Sequence, residues 1–126
     1  KMITLDTNLD TIRTEASTAA KDAASKFLAD WNERTGGNAY GEPMYCGFGW
    51  VTIRPEHKGN TKLGKAERKK MEYLGFEKDW TGKSYQLWNV GEYHGQSMDV
   101  KVAAAEAYAE VLTRNGYRAY AGSRAD

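Results

Sequence analysis

The chain has 126 residues, of which 40% are hydrophobic and 28% are charged, and its formal net charge is +1. This size and composition are typical of one soluble globular domain and exclude a disordered chain. A single cysteine, Cys46, excludes an intramolecular disulfide, a four-cysteine zinc site and a CxxC redox pair, and it favours a reducing compartment.

The first predicted element is a helix that begins at a capping box in residues 7–10 and ends at the glycine pair 36–37. Apolar residues recur in it every three or four positions. Because the first half of this stripe is mostly alanine, we expect close packing against a flat partner, either a sheet or a second copy that would make a homodimer. The stripe comprises Leu9, Ile12, Ala16, Ala19, Ala20, Ala23, Phe27 and Trp31.

Residues 45–53 are rich in β-branched and aromatic side chains and are closed by Pro55, which predicts a central strand. Gly47 and Gly49 fall on the same face of this strand, so a helix backbone or a ligand could approach there, with the helix favoured. Cys46 is expected to be a small core residue.

A second helix is predicted from a cap at Thr61 to Gly75, followed by a turn at 79–82 and a strand at 84–89. A third helix, capped by Ser97 or Asp99, ends at 115–116, and residues 117–122 form a last short strand. The sequence therefore predicts an α+β fold of order α-β-α-β-α-β, with three or four strands packed on about three helices. Residues 1–126 form one domain in this interpretation, with an N-terminal helix in 1–36 and an α/β core in 42–126.

Catalytic chemistry has little support in the sequence. His57 and His94 are the two histidines, both lie in predicted loops, and neither belongs to a metal-binding helical pair. The carboxylates are scattered over helix surfaces. Cys46 could act as a nucleophile with His94 as its base, and a small core cysteine is the favoured alternative. We predict no catalytic residue, no metal site and no cofactor.

The positive charge is concentrated in the middle of the chain, where residues 54–83 contain nine lysines and arginines against five acidic residues. Lys62, Lys65 and Lys69 share one face of the second helix, and Arg68 lies beside them. This face could bind phosphates while neighbouring aromatic rings stack on bases. The alternative is a solvated helix face balanced by nearby glutamates.

Four tryptophans and eight tyrosines exceed what a core of this size hides easily. Exposed tryptophan and tyrosine are favoured at protein interfaces, and their rings also stack on bases. The strand aromatics Trp50, Tyr85, Trp88 and Tyr120 are therefore candidate binding residues, with burial in the core as the alternative.

Three motifs resemble those of small, uncharacterised proteins encoded by tailed bacteriophages: CGFGWV at 46–51, KSYQLWN at 83–89 and GSRAD at 122–126. Ala125 stands where the resembling proteins usually have leucine. The resemblance runs from about residue 46 to the end. It implies a phage origin and expression in the host bacterial cytoplasm, and it carries no activity. No signal peptide or membrane-spanning run is apparent, so we expect no membrane partner.

Polar residues at the ends of the predicted strands form a further candidate site: Lys83, Asn89, Ser123, Arg124 and Asp126. Their lysine and arginine would suit an anion or a nucleotide, and a structural clamp is the alternative. The favoured hypothesis is a non-catalytic phage accessory protein that binds a host or phage protein, with action against host defence as one role. The second hypothesis is a nucleic-acid- or nucleotide-binding module that uses the basic helix at 58–70.

Overall fold

A computed structural model describes residues 7–36 and 46–126, and within them three helices and four strands alternate along the chain. This arrangement confirms the predicted α+β class. The short second strand is an element that the predicted order lacked. The elements are α1 (Thr7–Thr35), β1 (Gly47–Ile53), α2 (Lys62–Tyr73), β2 (Glu77–Lys78), β3 (Tyr85–Trp88), α3 (Met98–Arg114) and β4 (Ala119–Ala125).

The strands form one antiparallel sheet in the order β2-β3-β1-β4. Its central strand, β1, pairs along its whole length with β4, from Gly47 opposite Ala125 to Ile53 opposite Ala119. This pairing extends β4 beyond the predicted end at residue 122. The strand β3 is shorter, and its last pair joins Trp88 to Trp50.

The helix α1 packs mainly on α3. Its small residues Ala16, Ala20 and Ala24 are buried, and they face a helix that is itself rich in buried alanine. The alanine stripe therefore packs on a helix of the same chain, and the expectation that a sheet occupies this stripe is wrong. A helix surface lined with alanine is flat enough to give the close contact that the sequence predicted.

One face of the sheet is covered by α3. A Cβ atom added to Gly49 would lie 2.9 Å from the backbone carbonyl carbon of Lys101. This close approach confirms that a helix backbone occupies the space left by Gly49, while the Met98 side chain of the same helix lies against Gly47. Val51 and Ile53 lie on the same face of β1 and are fully buried in the core.

The predicted N-terminal caps of the second and third helices are confirmed. The Thr61 hydroxyl accepts a hydrogen bond from the Gly64 amide at 3.0 Å, and the Ser97 hydroxyl accepts one from the Val100 amide at 3.4 Å. Cys46 departs from its prediction, because it lies just before β1 and is exposed. Its backbone forms an isolated bridge with Ser97, outside the core strand.

Candidate functional site

The sheet face opposite α3 carries a row of aromatic side chains. Residues directly opposite each other in an antiparallel pair project to the same side, and side chains alternate between sides along a strand. The register therefore places Trp50 beside Trp88 on one flank and beside Gly122 on the other, with Phe48 and Tyr120 on the same face. We call Phe48, Trp50, Trp88 and Tyr120 the aromatic face.

Three rings of the aromatic face, those of Phe48, Trp50 and Trp88, contact one another through Trp88. Trp50 and Trp88 are stacked, with ring centroids 4.6 Å apart and an interplanar angle of 25°. Phe48 meets Trp88 edge to face at 5.9 Å. Gly122 makes room for the Trp50 indole, because a Cβ atom at this position would lie 2.5 Å from the indole Nε1. These contacts hold the rings in a defined arrangement before any partner binds.

Much of this face is exposed. Trp88 and Tyr120 are 47% and 48% exposed, and Phe48 and Trp50 are half-buried. Thr52 lies on the same face between Gln86 and Tyr120, and it is buried. The outer rings therefore offer apolar surface to a partner, while the centre of the face is closely packed.

Two cations lie at Phe48. The Lys101 Nζ is 5.4 Å from the centre of the Phe48 ring, and the Arg124 guanidinium carbon is 5.6 Å from it. Lys101 belongs to α3, and its ammonium group also donates a hydrogen bond to the Gly47 carbonyl at 2.9 Å. It reaches Phe48 past the point where β3 ends. Positive charge and aromatic surface therefore meet at this end of the sheet.

A depression of about 320 Å³ continues the aromatic face where β3 ends. Phe48 and Trp88 line it on the aromatic side and Lys101 on the cationic side. Asn89, whose φ of 52° is in the left-handed region, and the exposed His94 complete its polar rim. The surface at this end thus combines a stacking surface with hydrogen-bonding groups.

Three of the four predicted aromatic binding residues lie together on this face, namely Trp50, Trp88 and Tyr120. The fourth, Tyr85, is only 2% exposed because its pairing with Ile53 turns it toward the helices. Burial raises the pKa of the Tyr85 hydroxyl. Tyr85 is therefore a core residue, and its prediction as a binding residue is corrected.

The predicted anion-binding residues are dispersed. Lys62, Lys65 and Lys69 are exposed on α2, and Lys83 is exposed in the turn before β3. Of this predicted set, Arg124 contacts the aromatic face.

The role of Arg68 also differs from its prediction as an anion-binding residue. Its Nη1 donates hydrogen bonds of 2.9 Å to the carbonyl oxygens of His57 and Gly64. Arg68 thus ties the loop before α2 to the first turn of the helix, and its guanidinium is engaged in structure.

Phe48 and Lys101 belong to the site and were not predicted. The signal for Phe48 was present, because it lies two residues before Trp50 and so shares its face. Lys101 comes from a different element, and no sequence spacing relates it to β1. Its placement required the packing of α3 against the glycines of the strand.

A second constellation lies in the loop before α2. Glu56, His57 and Glu67 bring potential metal-ligand atoms within 4.8 Å of one another. The Glu67 carboxylate, however, accepts hydrogen bonds from the backbone amides of Glu56 at 2.7 Å and His57 at 3.0 Å. Partial burial acts to raise the pKa of Glu67, and these amides together with His57 outweigh it and hold the pKa below its ordinary value. The carboxylate is therefore a loop anchor.

Comparison of the chain with family models, with curated proteins and with solved structures found no match. Among the described residues, no helix has the length and apolar character required to cross a membrane.

Proposed function

We propose that the protein is a non-catalytic binding module whose aromatic face binds single-stranded nucleic acid. The observation that carries the proposal is the set of contacting rings Phe48, Trp50 and Trp88, on the face of the sheet that no described element covers, with Lys101 and Arg124 beside Phe48. An exposed ring stacks on an unpaired base, and a neighbouring cation binds the phosphate that follows it.

The architecture favours a single strand over a duplex. Bases within a duplex are stacked on each other and present only their edges, whereas unpaired bases can be splayed onto a sheet surface. The aromatic face is such a surface, because the helices α1 and α3 lie on the other side of the sheet. Trp88 and Tyr120 offer the most exposed rings for this contact.

The test is the affinity for a fluorescently labelled oligothymidylate, measured by anisotropy for the wild type and for Trp88→Ala. Since stacking contributes about 1–3 kcal/mol per base, we expect the variant to bind at least about fivefold more weakly. Trp80→Ala is the matched control, because Trp80 is 93% exposed in the turn between β2 and β3 and lies outside the aromatic face. Equal affinities of wild type and Trp88→Ala would contradict the proposal.

A second candidate function is the binding of a host or phage protein through the same rings. The observation that favours it is the exposed area of Trp88 and Tyr120, since such residues are enriched at the centres of protein interfaces. The phage resemblance of the sequence makes a bacterial host lysate the appropriate source of partners. In this proposal, the protein acts in the host cytoplasm.

Affinity capture with and without nuclease separates the two candidates. A single protein that remains bound after nuclease treatment and at high salt, and that Trp88→Ala fails to capture, would establish the protein partner. Recovery of nucleic acid that disappears with nuclease would establish the first candidate. Binding to phosphates weakens steeply with salt, whereas an aromatic protein interface is far less sensitive.

A further inference from the structure

A cleft of about 300 Å³ lies at the end of the sheet away from Phe48. It is formed where β1 ends, where the loop before α2 passes and where α3 turns into β4. The stripe of α2 that lines it consists of residues three or four positions apart, which share one helix face: Leu63, Ala66, Glu67 and Lys70.

Three cations line this cleft. Arg54 directly follows β1 and Arg118 directly precedes β4, and the two are neighbours, because the Arg54 amide donates a hydrogen bond to the Arg118 carbonyl at 3.0 Å. Lys70 approaches from α2. Among the described residues, none of these three side chains forms an ion pair. Of the two carboxylates in the cleft, that of Glu67 is engaged by backbone amides.

The cleft continues the rows of the aromatic face. Arg54 directly follows β1 and Arg118 directly precedes β4, and the hydrogen bond between them continues the pairing of the two strands by one residue. Continued by that residue, the alternation of side chains puts Arg118 in line with Tyr120 and Arg54 in line with Thr52. Positive charge is thus present at both ends of the aromatic row, with Lys101 and Arg124 at one end and the two arginines at the other.

We infer that the cleft is a phosphate-binding subsite, in which Arg54, Arg118 and Lys70 bind the backbone of a single strand whose bases stack on the aromatic face. This inference rests on the proposed nucleic-acid function. Arginine suits the role because its planar guanidinium donates two parallel hydrogen bonds to a phosphate.

The inferred site differs from the basic helix face predicted from the sequence. Lys62, Lys65 and Lys69 lie on a stripe of α2 about a third of a turn away from the cleft-lining stripe. The lysine stripe faces away from the buried residues Gly64 and Met71. Its three lysines are exposed to solvent. They provide a matched set of charges for a control.

The experiment compares two charge reversals on two lengths of oligothymidylate. The cleft variant is Arg54→Glu with Arg118→Glu, and the control is Lys65→Glu with Lys69→Glu, which changes the net charge by the same amount. The short strand has roughly 4 nucleotides and the long one roughly 16, the limits of site size for a compact single-strand-binding domain. Affinity is measured by anisotropy over a series of salt concentrations, after thermal unfolding shows that both variants fold.

We expect the cleft variant to bind the long strand about tenfold more weakly than the wild type does. The slope of log affinity against log salt concentration should be smaller by about 1.4, since each of the two lost phosphate contacts contributes about 0.7. The short strand, which the aromatic face alone accommodates, should bind the cleft variant and the wild type within about twofold of each other. The control should leave the salt slope unchanged.

Equal losses for the two charge reversals, or an equal loss on both strand lengths, would overturn the phosphate subsite and leave the proposed function intact. Failure of the wild type to bind either strand at low salt would overturn the proposed function and the subsite together. The two failures are therefore distinguishable.

Discussion

The two faces of the sheet distribute side-chain volume in opposite ways. On the covered face, β1 presents Gly47 and Gly49 to α3, followed by the buried Val51 and Ile53. On the open face, the same strand and its neighbours present four large aromatic rings. Along β1, the smallest residues thus lie where the helix approaches, and the largest lie on the face that no element of the described chain covers.

This difference separates stability from binding. Buried apolar area stabilises a fold in proportion to the surface removed from water, and on the covered face the residues of β1 are buried along the whole strand. On the open face, about half of the surface of Trp88 and of Tyr120 is still exposed to water. Burial of this surface by a partner would contribute to the free energy of binding. The comparison predicts that equivalent substitutions on the two faces have different consequences.

The largest expected difference is between Ile53→Ala and Trp88→Ala. Ile53 is fully buried, so its truncation leaves a cavity and should lower the free energy of unfolding by about 2–5 kcal/mol. Trp88 is a much larger residue, yet it should lose mainly its ring contacts, about 0.5–1.5 kcal/mol. Urea unfolding of both variants measures these values. A loss in Trp88→Ala as large as that in Ile53→Ala would mean that the open face is a second core.

A smaller difference is expected between Gly49→Ala and Gly122→Ala, which add the same methyl group on opposite faces. At Gly49 the methyl would meet the backbone of α3, which cannot move without displacing the helix, so we expect a loss of about 1–3 kcal/mol. At Gly122 it would meet the Trp50 indole, a side chain on an open surface that can shift outward.

Gly122→Ala should therefore cost about 1 kcal/mol or less and should change the tryptophan fluorescence, because the stack with Trp88 is disturbed. Thermal unfolding and emission spectra test both expectations. A greater stability loss at Gly122 than at Gly49 would show that Trp50 is held more rigidly than the helix.

The local features of this fold could be predicted from the sequence, and the contacts between distant elements could not. Caps and glycine stops are determined within a few residues, so Thr61 and Ser97 were identified correctly. Because side chains alternate between the two faces of a strand, the sequence spacing also places Tyr85 and Trp88 on opposite faces of β3. Which of these two faces is open depends on the strand order and on the position of α3, and neither is encoded in local spacing.

The same reason explains the errors in the site. Phe48 and Lys101 are 53 positions apart in the sequence, and no repeat or motif relates them. They meet because α3 crosses β1 at its glycines. An arginine such as Arg68 is a residue type that binds phosphate well, but its guanidinium donates hydrogen bonds to two carbonyl oxygens within the fold. Charge patterns in a sequence do not show which charges are already engaged.

The smallest expected effect concerns the loop beside the cleft and leaves both sheet faces untouched. Because the pKa of Glu67 is below its ordinary value in the folded protein, its carboxylate stabilises the fold above the ordinary glutamate pKa of about 4.3. This contribution is lost as the pH falls through that value and then through the lower folded pKa. Glu67→Gln should therefore be less stable than the wild type by about 1 kcal/mol at pH about 6, and the difference should shrink at pH about 3.

Urea unfolding at the two pH values, with Glu106→Gln on α3 as a control, measures this effect. Glu106 is exposed, and its substitution should leave the pH dependence of stability close to that of the wild type. A constant difference between Glu67→Gln and the wild type at both pH values would show that the amide bonds of Glu56 and His57 hold the loop equally well without a charge. In that case the cleft would keep its shape through the acid range, and a loss of nucleic-acid binding there would have to originate in the aromatic face or its cations.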